Sequence, residues 1–212
     1  MRTDDLVHAM VADLHAAQTS IGRQFALAIA IGFAISAVLF WVTLGPRPDI
    51  AAAALTIRFD LKIVETLLLA ATAVALVLRL AQPGAGTGLQ KIVLAAAPAL
   101  LTVAVMAELL VVPTDQWQAK LVGSNSLVCL TAIPLLSLPL LAALLLALRH
   151  GAPTSRGAAG AAAGLVAGGL AAALYATHCI DDSPLFVVTW YTIAIGAMTV
   201  LGAFLGRLLL RW

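Results

Sequence analysis

Six long apolar stretches alternate with short polar ones along the chain, at approximately 25–44, 61–80, 92–112, 124–148, 157–177 and 186–208. Crossing about 30 Å of hydrocarbon takes about 20 mostly apolar residues in a helix, and each stretch is long enough. Lipid satisfies no backbone hydrogen bonds, so an open chain crosses it as helix. The interruptions carry turn chemistry: GPRPD at 45–49, QPGAGTG at 82–88, VPTDQW at 112–117, RHGAPTSRG at 149–157 and DDSP at 181–184. The pattern predicts an all-α, polytopic transmembrane bundle of six helices packed as three successive hairpins. Residues 1–24 form a separate N-terminal tail, and residues 25–212 form the transmembrane domain.

Composition agrees. Of 212 residues, 62% are hydrophobic and 10% are charged, against roughly 25% charged in soluble domains. The tail carries Asp4, Asp5 and Asp13 ahead of the first apolar run, unlike a cleavable signal, so the first span is expected to be retained. Basic residues divide unevenly between the two faces. Arg2, Arg23, Arg79, Lys91, Arg149, Arg156, Arg207 and Arg211 share one face; Arg47, Arg58, Lys62 and Lys120 share the other. The richer face is expected to be cytoplasmic, which places both termini there.

The fifth stretch spaces Gly160, Gly164 and Gly168 four apart on one helix face, and the sixth repeats the spacing with Gly202 and Gly206. Small residues let backbones approach closely in lipid. The stripe suits packing inside one bundle or, alternatively, homodimerisation.

Few residues carry chemistry. Cys129 lies 20 residues before Arg149, and Cys179 lies 23 residues after Arg156. At a rise of 1.5 Å per residue each is about 30–35 Å from the arginine-rich face, so both thiols are expected at one height near the outer face. An oxidising exterior permits disulfide or sulfenic acid chemistry there; inert apolar packing is the plainer alternative. His178, Asp181 and Asp182 flank Cys179 and are metal-ligand types. DDSP equally reads as a helix start, with Asp182 or Ser183 as N-cap and Pro184 at the first helical position. Glu65 and Glu108 fall within apolar stretches, where a carboxylate flags function; alternatively both reach the interface near the ends of their spans, and Glu65 pairs with Lys62 or Arg58.

In the tail, Thr3 caps a predicted helix with Asp4 and Asp5 in its first turn, and Leu6, Met10 and Leu14 recur at helical spacing. An apolar stripe beside acids suits docking to a partner protein with a basic surface; lying on the membrane is the alternative. No CxxC and no broken-helix pair accompanies these features. A small transporter or metal exporter, or a membrane thiol oxidoreductase, are the competing classes.

TDDLVHAMVADL, RFDLK, IPLLSLPLLAALLLALRHGAPT and above all YATHCIDDSPLFVVTWY resemble the NrsF-type membrane anti-sigma factors, and the resemblance runs across nearly the whole chain. It implies a six-span, non-enzymatic protein of the bacterial inner membrane that holds a cytoplasmic extracytoplasmic-function sigma factor inactive. Release is implied to follow heavy-metal or oxidative stress. The family's two characteristic cysteines match Cys129 and Cys179. The expected partners are the sigma factor and membrane lipid, without direct nucleic-acid contact. No cofactor is required, although a heavy-metal ion could sit transiently at the cysteines.

Overall fold

The computed structural model describes residues 21–210. The docking positions Asp4, Asp5, Leu6, Met10 and Leu14 lie outside the described residues. Among those described, six helices are long and apolar enough to cross a membrane, and none of the residues is in a strand. We number them α1 (Ile21–Thr43), α2 (Ile57–Leu80), α3 (Gly88–Val111), α4 (Ser126–Leu148), α5 (Arg156–Ala176) and α6 (Pro184–Leu209). Two short helices, Ile50–Ala53 and Trp117–Val122, lie in the loops of one face. The expected spans are reproduced within a few residues. The largest difference is at helix starts, because α1, α2 and α3 each begin four residues earlier than their apolar runs.

Of the three expected successive hairpins, α5 with α6 packs along its length, whereas α1 with α2 and α3 with α4 do not. α5 is the hub: α6, α2 and α4 all pack along it, while α1 packs mainly on α4 and touches α2 at few places. α3 is peripheral, against α2 and the start of α6. Side-chain size explains this order. α5 is built almost wholly from Ala and Gly, and 14 of its residues are buried, so three neighbours can press against it at once. Short loops fix only which helix ends are near each other. They do not choose which faces meet.

The glycine stripe faces α6. A Cβ on Gly160 would stand 2.2 Å from the Gly202 carbonyl oxygen, and one on Gly164 would stand 2.3 Å from that of Met198. A Cβ on Gly168 would meet Ile195 at 3.1 Å. Gly202 and Gly206 return the contact onto Gly160 and Arg156. α6 therefore occupies the stripe, and a homodimer through the same surface would have to displace it. A second close approach joins α1 to α4: a Cβ on Gly32 would lie 2.8 Å from Leu140 Cα, and buried Ser36 donates to the Leu136 carbonyl at 2.7 Å.

The buried side chains form two apolar clusters. One contains Phe25, Leu144, Val166 and Met198. The other contains Cys129, Ile133, Tyr175, Cys179, Phe186 and Tyr191. The second lies at the face bearing Arg47 and Lys62, termed here the thiol face. Arg23, Arg79, Lys91, Arg149, Arg156 and Arg207 belong to the opposite face.

Candidate functional site

The segment between α5 and α6, residues 177–183, organises the thiol face. α5 ends in a tight turn in which the backbone N–H groups of His178 and Cys179 both donate to the Tyr175 carbonyl. The chain then runs extended until Ser183 caps α6. The Ser183 hydroxyl accepts from the Leu185 N–H at 3.3 Å, and Pro184 occupies the first helical position. Of the two N-cap candidates, the structure uses Ser183 rather than Asp182. A π-helical turn at Val187–Tyr191 follows within α6.

Asp182 is free to do something else. Its carboxylate takes the Lys62 ammonium from α2 on one oxygen and the Arg47 guanidinium, at 2.8 Å, on the other. Lys62 is 1% exposed and also donates to the Cys179 carbonyl at 2.9 Å. Arg47 reaches the same carbonyl at 3.4 Å and grips Asp49 through two hydrogen bonds. Its guanidinium holds the Asp49 carboxyl below its usual range. The Arg47 N–H donates to the Thr177 carbonyl, and the His178 Nδ1 lies 2.9 Å from the Gly45 carbonyl oxygen. The loop after α1, the second helix and the cysteine segment are thus tied at one place.

Asp181 makes the tie to α4. Its carboxylate accepts from the backbone N–H groups of Ser124 and Asn125 at 3.0 and 2.9 Å, just ahead of that helix. A negative group at a helix start satisfies orphan donors and complements the dipole. Gly123 makes room for it. With φ +58°, it sits where a Cβ would fall 2.6 Å from the Phe186 ring and 2.8 Å from the Asp181 carboxyl carbon. Gly123→Ala is expected to destabilise the protein by about 2 kcal/mol, from positive φ and overpacking together. Thermal unfolding in detergent, monitored by circular dichroism, checks this.

α3 joins through Glu108. This buried carboxylate takes two hydrogen bonds from Arg58 of α2, at 2.8 and 3.0 Å, and one from the Ser183 hydroxyl at 3.1 Å. Of the two bases nearest Glu65 and Glu108 on α2, Arg58 takes Glu108 and Lys62 takes Asp182. Glu65 is left with neither. Sequence reasoning missed Lys62 as a site residue. The available signal was a lysine just inside an apolar span, where an ionisable group needs a named partner.

Cys129 lies in the first turn of α4 and Cys179 in the segment itself. Both are completely buried, both are free thiols, and both belong to the same apolar cluster. Burial pushes the Cys179 thiol up from its ordinary pKa, while the Lys62 ammonium opposes the shift. Its sulfur faces the Asp181 carbonyl oxygen at 3.8 Å. Tyr175 and Tyr191 complete the surround, with ring centroids 5.9 Å apart. Among the described residues, no group of three or more His, Cys, Asp and Glu side chains converges as a metal ion would require. His178, Asp181 and Asp182 each point to a different protein partner.

The sequence profile described as "Negative regulator of sigma F", NrsF, matches residues 10–212. The chain belongs to the NrsF family. A similar NrsF relative, the "Anti-sigma-F factor NrsF" of Caulobacter vibrioides (strain NA1000 / CB15N), is 36% identical over the full length of both chains. The "Probable anti-sigma-F factor NrsF" of Azospira oryzae (strain ATCC BAA-33 / DSM 13638 / PS) is 34% identical, also over the full length of both. No solved structure matches the chain. The NrsF match includes both cysteines, the clamp formed by Arg47, Lys62 and Asp182, and most of the N-terminal tail.

Proposed function

We propose that this protein is a membrane anti-sigma factor. It holds an extracytoplasmic-function sigma factor at the cytoplasmic face and releases it when Cys129 and Cys179 respond to oxidants or heavy-metal ions. Membership of the NrsF family supports the sigma-factor partner. The observation that carries the sensing step is the burial of both thiols in one cluster, beneath a segment tied to α2 through Lys62, to α3 through Glu108 and to the start of α4 through Asp181.

Buried thiols react slowly, because the thiolate is the reactive form and an apolar surround disfavours it. Reaction at Cys179 therefore requires the 177–183 segment to lift. Once a thiol is oxidised or metal-bound, the added volume and charge cannot return to a fully packed site. The closed arrangement is then lost, and with it the ties between α2, α4 and α6. Moving a sigma factor from mostly held to mostly free takes several kcal/mol of differential affinity. The basic face about 30 Å away, together with the tail residues Asp4, Asp5, Leu6, Met10 and Leu14, forms the docking side, and both termini are cytoplasmic.

A reporter strain for the sigma factor tests this reading. Cys129→Ser and Cys179→Ser should each lower induction by oxidants and cadmium at least tenfold. Deletion of residues 2–20 should raise the unstressed signal to that of a strain lacking the protein. Normal induction in the serine variants would rule out thiol sensing, and full repression by the deletion would rule out docking through the tail.

A further inference from the structure

A cleft of about 410 Å³ lies over α5 between α2 and α6, with α3 closing one side. Leu69, Leu101, Leu165 and Ile195 make its walls apolar, and Glu65 is its acidic group. Glu65 is 5% exposed. Among the described residues, no hydrogen bond or ion pair reaches its carboxyl, since Lys62 is taken by Asp182 and Arg58 by Glu108. A buried acid without a partner is costly in protein and in lipid alike. The cleft opens sideways: Pro98, Thr192 and Val200 on its rim are exposed on the apolar surface of the bundle. A molecule dissolved in the bilayer could enter without crossing either face.

The π-helical turn lies beside this cleft. Val187 and Tyr191 line it on one side and belong to the thiol cluster on the other. π-Bulges inside helices recur at functional sites. Gly196 on the next turn widens the cleft, because a Cβ there would meet nothing within 4 Å. The thiol face is also rich in acids. Asp49, Asp60, Glu65, Glu108, Asp115, Asp181 and Asp182 make seven, against the four bases Arg47, Arg58, Lys62 and Lys120.

We infer that this cleft is a binding site for a lipophilic monocation, with Glu65 supplying the opposing charge. The apolar walls take the body of the ligand, and the acid takes the charge that the protein itself does not match. Large apolar pockets with one oriented polar group are the usual form of small-molecule sites. The site is separate from the proposed thiol chemistry and does not depend on it.

Binding of radiolabelled tetraphenylphosphonium to the full-length protein in nanodiscs of zwitterionic lipid tests the inference, with no sigma factor present. The expected result is saturable binding that falls at least tenfold in Glu65→Gln and is equally lost in Gly196→Phe, which fills the cleft. The uncharged isostere tetraphenylsilane should not compete. Unchanged binding in Glu65→Gln, equal competition by the neutral isostere, or uptake that never saturates would each overturn it. Should Gly196→Phe fail to fold, the Glu65→Gln comparison, on a protein of unchanged shape, decides alone.

Discussion

Replacing Lys62 with methionine is expected to lower the unfolding free energy by about 3 kcal/mol. Methionine keeps the unbranched apolar stem but removes the ammonium. The Cys179 carbonyl then loses its 2.9 Å hydrogen bond, and Asp182 keeps only Arg47. Breaking a buried pair from one side typically costs about 3–5 kcal/mol. The lower end applies, because Asp182 is 16% exposed and Arg47 still faces it. Unfolding in a mixed-micelle denaturant titration measures the loss. The double variant Lys62→Met with Asp182→Asn should cost less than the sum of the two single changes, since contacting partners are not additive. Lys62→Met should also speed modification of Cys179 by a membrane-permeant maleimide, because the clamp over the segment is loosened. Slower modification would contradict the clamp, since losing the ammonium alone makes the thiolate harder to form. A cost below about 0.5 kcal/mol, the scale of an ordinary surface change, would likewise contradict it.

The second large effect lies on α5. Gly164→Val should destabilise by about 3 kcal/mol, the upper end of the usual overpacking range. The reason is what the new Cβ meets: the Met198 carbonyl oxygen at 2.3 Å and Thr199 Cα at 2.8 Å. Both are backbone atoms, so no side-chain rotamer relieves the contact. α6 must move as a body, which also draws on the cap at Ser183. Gly196→Ala is the control on the facing helix, where a Cβ meets nothing. It should be neutral or stabilising by up to about 1 kcal/mol, the helix propensity difference between the two residues. Melting temperatures of both variants in detergent separate the two expectations.

These two helices also show where sequence reading stops. Six spans were legible because the hydrocarbon imposes a length, and composition reports length directly. The Gly160–Gly164–Gly168 stripe was legible as a close-packing face, yet its partner was not. Any smooth helix could fill it, and only the structure identifies Gly202 and Gly206 of α6 as the occupants. The expected α1–α2 hairpin failed for the same reason: α1 rests on α4 through Gly32 and Ser36, over a sequence separation of about a hundred residues.

The site was legible in its centre and obscure at its edges. Matching depth brought Cys129 and Cys179 together from spacing alone, and they do share one cluster. His178, Asp181 and Asp182 looked like metal ligands because of their types and their adjacency. Adjacent residues on an extended segment diverge, so one turns to Gly45, one to Ser124 and Asn125, and one to Lys62 and Arg47. Local pairing rules pointed Lys62 toward Glu65, three residues on. Its actual partner lies 120 positions away and could be found only through the fold.

If the two thiols govern whether the sigma factor is held, modifying them must lower its affinity for the protein. Retention of the purified sigma factor on full-length protein in nanodiscs, before and after treatment with diamide or cadmium, tests it most directly. At least a tenfold loss of bound sigma factor is expected from the parent protein with one of these reagents, and no loss from the Cys129→Ser, Cys179→Ser double variant. Equal release from the double variant, or full retention by the parent under both reagents, would contradict it.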